Sequence, residues 1–301
     1  MSAPPPARGG TRQESRAAWL LLAPALAAIA LFFALPVAAG LLLSFTDFDL
    51  YAIADPANAR WVGLENYRRL LADPLFWRAL GNTLLLVGVG GPLTLAVALG
   101  GALLVHSRLA RLPGLYRTAF FAPVVTTLVA VAVVWRYFYH PRFGLLNHLL
   151  GLVGLPPIDW LGDPRWAMLA ITLLAVWRTF GYSLVIFVAG LQAIPESLYE
   201  AARLDGASWW QQFTRVTLPL LQPTMIFATV LNTVGFFQIF AEPYVMTRGG
   251  PLNATLSIAM LMYQQGFRWW NMGRAAAVAF VLFALILAAS AVQALVRRRA
   301  A

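Results

Sequence analysis

Residues 194–219 have the sequence IPESLYEAARLDGASWWQQFTRVTLP, which interrupts an otherwise apolar chain. The stretch of low hydrophobicity around it covers residues 192–221, and this is too long for a simple turn between two helices. Pro195 suits the first turn of a helix over residues 196–205. Gly206 then supplies the left-handed backbone position that ends such a helix. The pattern therefore predicts a short helix followed by a sharp turn.

A second short helix is predicted directly after this turn. Ser208 and Gln211 have the spacing of a capping box, in which each residue satisfies a backbone N–H of the other. The helix is expected to cover Trp209 to Val216 and to end before Pro219, because the residue before a proline disfavours helical backbone. The whole segment is thus predicted to be a helix, a turn and a second helix on one face of the molecule.

The rest of the chain has the composition of a membrane protein. Of its 301 residues 60% are hydrophobic and 11% are charged, whereas soluble domains carry about 25% charged residues. A helix needs about 20 apolar residues to cross a bilayer. Six such runs predict an all-α membrane protein with six transmembrane helices: Trp19 to Phe45, Ala79 to Val105, Ala119 to Trp135, Ala167 to Gly190, Gln222 to Phe240 and Ala275 to Val296. The first run exceeds the roughly 7 to 15 apolar residues of a signal peptide, so we expect it to be retained.

The runs divide the chain into a membrane domain and two short ends. Residues 1–18 form an N-terminal segment, residues 19–296 the transmembrane domain with the polar segment 192–221, and residues 297–301 a basic tail. Six helices place both ends on one side of the membrane. Both ends and the short turn at residues 106–118 are compactly basic, which predicts that this side is the cytoplasm. The aromatic residues of the opposite loops fit an interfacial belt.

Several classes of function are disfavoured by the residues present. The formal net charge is +10, but the arginines lie at the ends of apolar runs, where lipid headgroups rather than nucleic acid are the expected partners. A phosphate-binding loop of the ATPase type requires a lysine, and the chain has none. Cysteine is absent, and His106, His140 and His148 lack metal-ligand spacing. We therefore expect no catalytic residue, no metal and no cofactor. A membrane-embedded enzyme and a self-sufficient channel or secondary transporter remain as alternatives.

One charge lies inside a predicted span. Arg178 is near the middle of the fourth run, where an arginine costs about 2.5 to 3.5 kcal/mol on insertion scales. This cost favours a role facing a cavity or a partner. The alternative is a purely structural role, in which the side chain pairs with helix carbonyls or tilts to an interface.

The polar segment resembles the EAA motif of type I ABC importer permeases, in which E-A-A is followed after three residues by G and, after a spacer, by L and P. The matching residues are Glu200, Ala201, Ala202, Gly206, Val216, Leu218 and Pro219, and Ile194, Pro195, Tyr199 and Asp205 extend the match. Other stretches are similar to the carbohydrate-uptake branch, the maltose and glycerol-3-phosphate type permeases. They are Gly63 to Tyr67, Asn82 with Thr83, and Thr247 with Gly249 to Pro251.

The resemblance implies the MetI-like permease fold and a transport subunit that is not itself an enzyme. Such a subunit forms half of the pathway of an ATP-driven, binding-protein-dependent importer of a carbohydrate or a related polyol phosphate. The implied partners are a second homologous permease, two ATPase subunits that hydrolyse ATP, an extracytoplasmic solute-binding protein, the solute and the lipid bilayer. The implied location is the inner membrane of a bacterial or archaeal cell. Glycerol phosphates, disaccharides and longer oligosaccharides all remain open as the solute.

The resemblance also assigns residues to two sites. The region Ala207 to Phe213 looks like the coupling helix that sits in a cleft of the ATPase, with Glu200 as a charge partner. The coupling residues are Glu200, Ala201, Ala202, Asp205, Gly206, Ala207, Leu218 and Pro219. The substrate-binding residues are Arg178, Thr179 and Tyr182 on the fourth helix and Asn232, Gly235, Phe236 and Ile239 on the fifth. Packing in the protein core is the alternative for each of these seven.

Overall fold

The computed structural model describes residues 12–107 and 112–300. Within these ranges the regular structure is helical, and the one β-type pairing is an isolated bridge between Thr46 and Trp61. The α-helices are α1 (Arg12–Ile29), α2 (Leu35–Leu43), α3 (Leu50–Ala54), α4 (Glu65–Ala72), α5 (Pro74–Leu85), α6 (Gly91–His106), α7 (Pro113–Val125), α8 (Leu128–Phe138), α9 (Leu145–Leu152), α10 (Pro164–Gln192), α11 (Glu196–Leu204), α12 (Trp209–Gln212), α13 (Leu218–Phe237), α14 (Ala241–Met246), α15 (Ile258–Tyr263) and α16 (Met272–Ala300). Pro56–Asn58 forms a 3-10 turn, and π-helical turns occupy Ala30–Ala34, Leu86–Gly90, Phe213–Thr217 and Gln264–Arg268.

The expected all-α membrane architecture is confirmed. Five apolar helices are long enough to cross a bilayer, and a bent pair supplies a sixth span if its two arms are counted together. The five are Ala18–Leu43, Pro74–His106, Pro164–Gln192, Trp209–Met246 and Met272–Leu295, and the bent pair is Gly114–Val125 with Leu128–Phe138.

The third predicted run, Ala119 to Trp135, is not one continuous helix. Its two arms meet at an angle of 99°, because Thr126 and Thr127 between them have extended backbone. The Thr126 hydroxyl donates to the carbonyl of Ala122 at 2.7 Å, so it satisfies an acceptor that a continuous helix would have paired with a backbone N–H. The β-branched residues at this point also have a low preference for helix.

The prediction that the second helix of the polar segment ends before Pro219 is wrong. α12 passes through the π turn at Phe213–Thr217 directly into α13, so that one helical rod continues from the polar segment into the membrane. Leu218 donates its N–H to the carbonyl of Phe213, five residues back. Proline lacks an N–H, and its ring presses on the preceding turn. We infer that the wider π turn makes room for that ring, so the helix is not interrupted.

α10 is the central helix of the fold. In the most apolar stretch of α10, 56% of the residues are buried inside the protein. In the first span no residue of the corresponding stretch is buried, so that span lies at the periphery. α10 packs against α6, α7 and α13. Asp163 caps its start by accepting from the N–H of Arg165 at 2.9 Å, and hydrogen bonds from Arg165 also lower the pKa of this partly buried carboxyl.

Close packing between α10 and α7 depends on the absence of a side chain at Gly181. A Cβ at this position would collide with the backbone carbonyl of Phe120. We expect Gly181→Ala to force the helices apart and to destabilise the fold by about 1–3 kcal/mol, as overpacking does. The measurement is the thermal unfolding midpoint in detergent.

Gly100→Ala in α6 is the matched control. A Cβ at Gly100 meets nothing within 4 Å, and alanine is the better helix former by up to about 1 kcal/mol. Its midpoint should equal or exceed that of the parent. Equal midpoints for the two variants would show that this helix contact does not require glycine.

Candidate functional site

A cavity of about 480 Å³ opens beside the middle of α10, between that helix, the second half of α13 and the start of α14. Its volume lies within the range of small-molecule binding sites. All seven residues assigned to the substrate site by resemblance line it: Arg178, Thr179, Tyr182, Asn232, Gly235, Phe236 and Ile239. The sequence therefore identified residues that come together in space. Their role in binding a solute stays a prediction.

The charge of Arg178 is paired. Its Nη1 donates to Oε1 of Glu242 at 2.6 Å, and the Glu242 side chain is 5% exposed against 29% for Arg178. The Nε of Arg178 is buried and has no hydrogen-bond partner among the described residues. Arg178 therefore lines the cavity, and it pairs with the carboxylate of Glu242 in α14 rather than with helix carbonyls.

Glu242 was missed by the sequence analysis. It lies in α14, two residues beyond the predicted fifth run, so the search for acids within the runs passed over it. A usable signal existed, because a buried arginine in one span requires a counter-ion. Glu242 is the acid that closely follows the neighbouring apolar run.

The α13 wall of the cavity is set by the π turn at Leu86–Gly90. A Cβ at Gly90 would press into the ring of Phe236, and one at Gly91 would lie 3.1 Å from Oδ1 of Asn232. Glycine at these two positions lets α13 approach closely and fixes the two side chains that face the cavity. Asn232 and Phe236 line this wall from α13, and Ile239 lines the cavity from two residues beyond the end of that helix.

The groups at the cavity suit binding rather than covalent chemistry. The Thr179 hydroxyl donates to the carbonyl of Ala175 at 2.7 Å, which leaves its oxygen as an acceptor, while Tyr182 is half exposed. Amides, hydroxyls and an aromatic ring together can hydrogen-bond and stack on a hydroxyl-bearing molecule. Across residues 12–107 and 112–300, no three His, Cys, Asp or Glu side chains cluster in a way that could hold a metal ion.

The polar segment forms the second candidate site, and its turn has the predicted geometry. Gly206 has φ 76°, its N–H donates to Arg203 at 3.1 Å, and the N–H of Ala207 donates to Ala202 at 2.9 Å. This pair of bonds is a Schellman motif, which ends α11. The predicted capping box is confirmed, since Ser208 Oγ accepts from the N–H of Gln211 at 3.3 Å and the reverse bond is 2.7 Å.

The two short helices are held together but present an uncovered surface. The hydroxyls of Tyr199 and Thr217 are 2.9 Å apart and tie α11 to the π turn. Trp209 and Trp210 are 66% and 62% exposed, and Trp209 stacks on Phe213 with ring centroids 5.6 Å apart. Glu200 is exposed and forms no ion pair with the described residues.

Comparison with known proteins places this geometry in a family. The family model for binding-protein-dependent transport system inner membrane components matches residues 25–301. The sulfoquinovosyl glycerol transport system permease protein of Agrobacterium fabrum is 36% identical over 91% of this chain and 87% of its own length. The lactose transport system permease protein of Rhizobium radiobacter is 36% identical over 91% of this chain and 92% of its own length. The trehalose/maltose transport system permease protein of Thermococcus litoralis is 34% identical, over 91% of each chain.

A solved structure has the same fold. A chain of a bacterial ABC transporter involved in the import of the acidic polysaccharide alginate superposes with a TM-score of 0.77, covering 95% of this chain and 98% of its own. At 24% sequence identity, the likeness establishes the fold alone.

The contact between Arg178 and Glu242 predicts a specific pattern of stability. Arg178→Met leaves Glu242 buried without a counter-ion and should cost about 3–5 kcal/mol, whereas Arg178→Met combined with Glu242→Leu should recover most of that loss. Thermal unfolding midpoints in detergent of the parent, both single variants and the double variant test this. Additive losses in the double variant would show that the two charges do not stabilise each other.

Proposed function

This chain belongs to the family of binding-protein-dependent transport system inner membrane components, and we propose that the solute it carries is a carbohydrate or a related polyol phosphate. It is a multi-pass membrane transport subunit and not an enzyme, since ATP hydrolysis in such systems belongs to a separate subunit. The observation that carries the proposal is the cavity, where amide, hydroxyl and aromatic side chains converge. The sugars in the names of the relatives support the same class of solute.

The proposed binding residues have distinct roles. Asn232 and Tyr182 hydrogen-bond hydroxyl groups, Phe236 stacks on a sugar face, and Thr179 offers an acceptor oxygen. Gly235 leaves room for the solute, because a Cβ there meets nothing within 4 Å. Ile239 completes the apolar wall, and Arg178 acts within its ion pair.

The proposed assembly contains a second homologous permease, two ATPase subunits and an extracytoplasmic solute-binding protein. We assign the polar segment to the cytoplasmic side, together with both chain termini. The positive-inside rule supports this orientation, although the basic residues Arg108 and Arg111 and residues 1–11 lie outside the described part of the chain. The loops with the interfacial aromatic residues then lie on the side from which the binding protein approaches.

The polar segment is the proposed docking site for the ATPase. Exposed apolar aromatic residues that nothing covers are typical of an interaction surface, and Trp209, Trp210 and Phe213 form such a cluster. Glu200, with Ala201 and Asp205, lies on the exposed side of α11 and supplies the charge partner. Ala202, Gly206 and Ala207 make the turn that aims α12.

We propose that one helical rod couples ATP binding by the ATPase to the transport pathway. Leu218 and Pro219 lie where the π turn leads into α13, so a movement of α12 on the ATPase is carried to the cavity wall at Asn232 and Phe236. Binding of ATP to the partner would in this way switch the pathway between inward-facing and outward-facing states.

The left-handed turn gives the sharpest test of coupling. Gly206→Val places a β-branched residue at φ 76°, which costs about 1–2 kcal/mol and should turn α12 away from its docking direction. In the reconstituted complex we expect ATP hydrolysis stimulated by the binding protein to fall roughly 5- to 30-fold, the factor that corresponds to this energy. Solute uptake should fall in parallel.

Gly154→Val is the matched control. Gly154 also has φ 76° and also has no neighbour within 4 Å of a Cβ, but it follows α9, far along the chain from the polar segment. This variant should carry the same local strain and keep ATP hydrolysis coupled to uptake. Normal coupling in Gly206→Val, or equal losses in both variants, would refute the role assigned to the turn.

A further inference from the structure

The charge balance of the cavity depends on one carboxylate. Of the described residues that line the cavity, Arg178 and Glu242 are the charged ones, and they are in direct contact at 2.6 Å. The other polar groups are neutral, and they belong to Thr179, Tyr182, Ser183, Asn232 and Gln238. The cavity therefore contains an arginine and yet has no net charge.

Contacts around α14 hold Glu242 in the position where it neutralises Arg178. Arg136 Nη2 donates to the carbonyl of Met246 at the end of α14 at 2.9 Å. Ahead of the helix, the Ser257 hydroxyl donates to the carbonyl of Ile239 at 2.7 Å. Pro243, next to Glu242, is buried as well. With contacts at both ends of α14 and 5% exposure of its own side chain, Glu242 is held in place against Arg178.

We propose that Glu242 determines the charge selectivity of the solute site, so that the cavity accepts uncharged, hydroxyl-rich solutes and discriminates against solutes bearing a phosphate, carboxylate or sulfonate. The inference rests on the proposed function and narrows its class of solute. A free guanidinium is the preferred protein partner of such anions. Here that guanidinium already binds a buried carboxylate, so an incoming anion would lose its hydration without gaining a cationic partner.

The cavity's electrostatic potential can be measured directly, because the chain has no cysteine. Thr179→Cys introduces a single thiol among the cavity-lining residues. Rates of its modification by an anionic and by a cationic methanethiosulfonate reagent are measured on the complex in nanodiscs, and their ratio is divided by the ratio for free β-mercaptoethanol. Both reagents attack the same thiolate, so any change in its ionisation cancels in the ratio.

In the Thr179→Cys protein the normalised ratio should lie close to one. Adding Glu242→Gln should raise the preference for the anionic reagent by roughly 10-fold, because removing one nearby charge changes the two rates in opposite directions. Adding Arg178→Gln should shift the ratio the other way. Adding both Arg178→Gln and Glu242→Gln should return it to one, which separates charge from any general disturbance of the cavity.

A matched pair of sugars links the potential to selectivity. Lactose should protect the introduced thiol from modification better than lactobionate, which carries a carboxylate, and Glu242→Gln should reverse that order. An anionic preference already in the Thr179→Cys protein, or a ratio that Glu242→Gln leaves unchanged, would overturn the proposal. Loss of ATP-coupled uptake with the predicted ratios intact would instead count against the proposed function.

Discussion

The structure depends on keeping helices continuous in a solvent that cannot hydrogen-bond to them. Backbone groups in hydrocarbon must be paired within the segment, yet Pro36, Pro92 and Pro219 lie in long helices. Each follows a π turn, in which the residue before the proline donates five residues back: Leu35 to Ala30, Gly91 to Leu86 and Leu218 to Phe213. Three helical pairs thus become three uninterrupted rods. The π turn at Leu86–Gly90 also positions the α13 wall of the cavity. Such a turn therefore shapes the candidate site as well as the fold.

The same continuity joins the two candidate sites. The polar segment ends in α12, α12 continues into α13, and α13 carries Asn232 and Phe236 to the cavity. Across that cavity α10 is tied to α14 by the ion pair of Arg178 and Glu242. The cavity therefore lies between a rod that reaches the proposed ATPase surface and a central helix whose charge is fixed by a buried acid. A displacement of the rod must change the shape of the cavity.

Much of this arrangement follows from local sequence. Helix, turn and second helix were predicted from Gly206, Ser208 and Gln211, because capping chemistry is decided within a few residues. The seven cavity residues came from resemblance to a family motif rather than from physics. Three features escaped prediction. A proline usually marks the end of a helix, but the π turn before Pro219 lets the helix continue. The break at Thr126 depends on a side-chain hydrogen bond to Ala122. The contact of Arg178 with Glu242 joins residues 64 positions apart. Tertiary packing decided the last of them, whereas the first two are local departures from regular helix geometry.

The central claim is that the rod from α12 to the cavity moves as one body when the complex binds ATP. The distance between spin labels at Arg215→Cys and Gly235→Cys tests it most directly, because the chain offers no competing cysteine. Roughly twenty residues of helix at about 1.5 Å per residue correspond to about 30 Å. The account predicts one narrow distance distribution, the same in the nucleotide-free complex and with a non-hydrolysable ATP analogue. A distribution that shifts or broadens with nucleotide would place a hinge near Pro219 or Pro223 and would contradict transmission along a continuous helix.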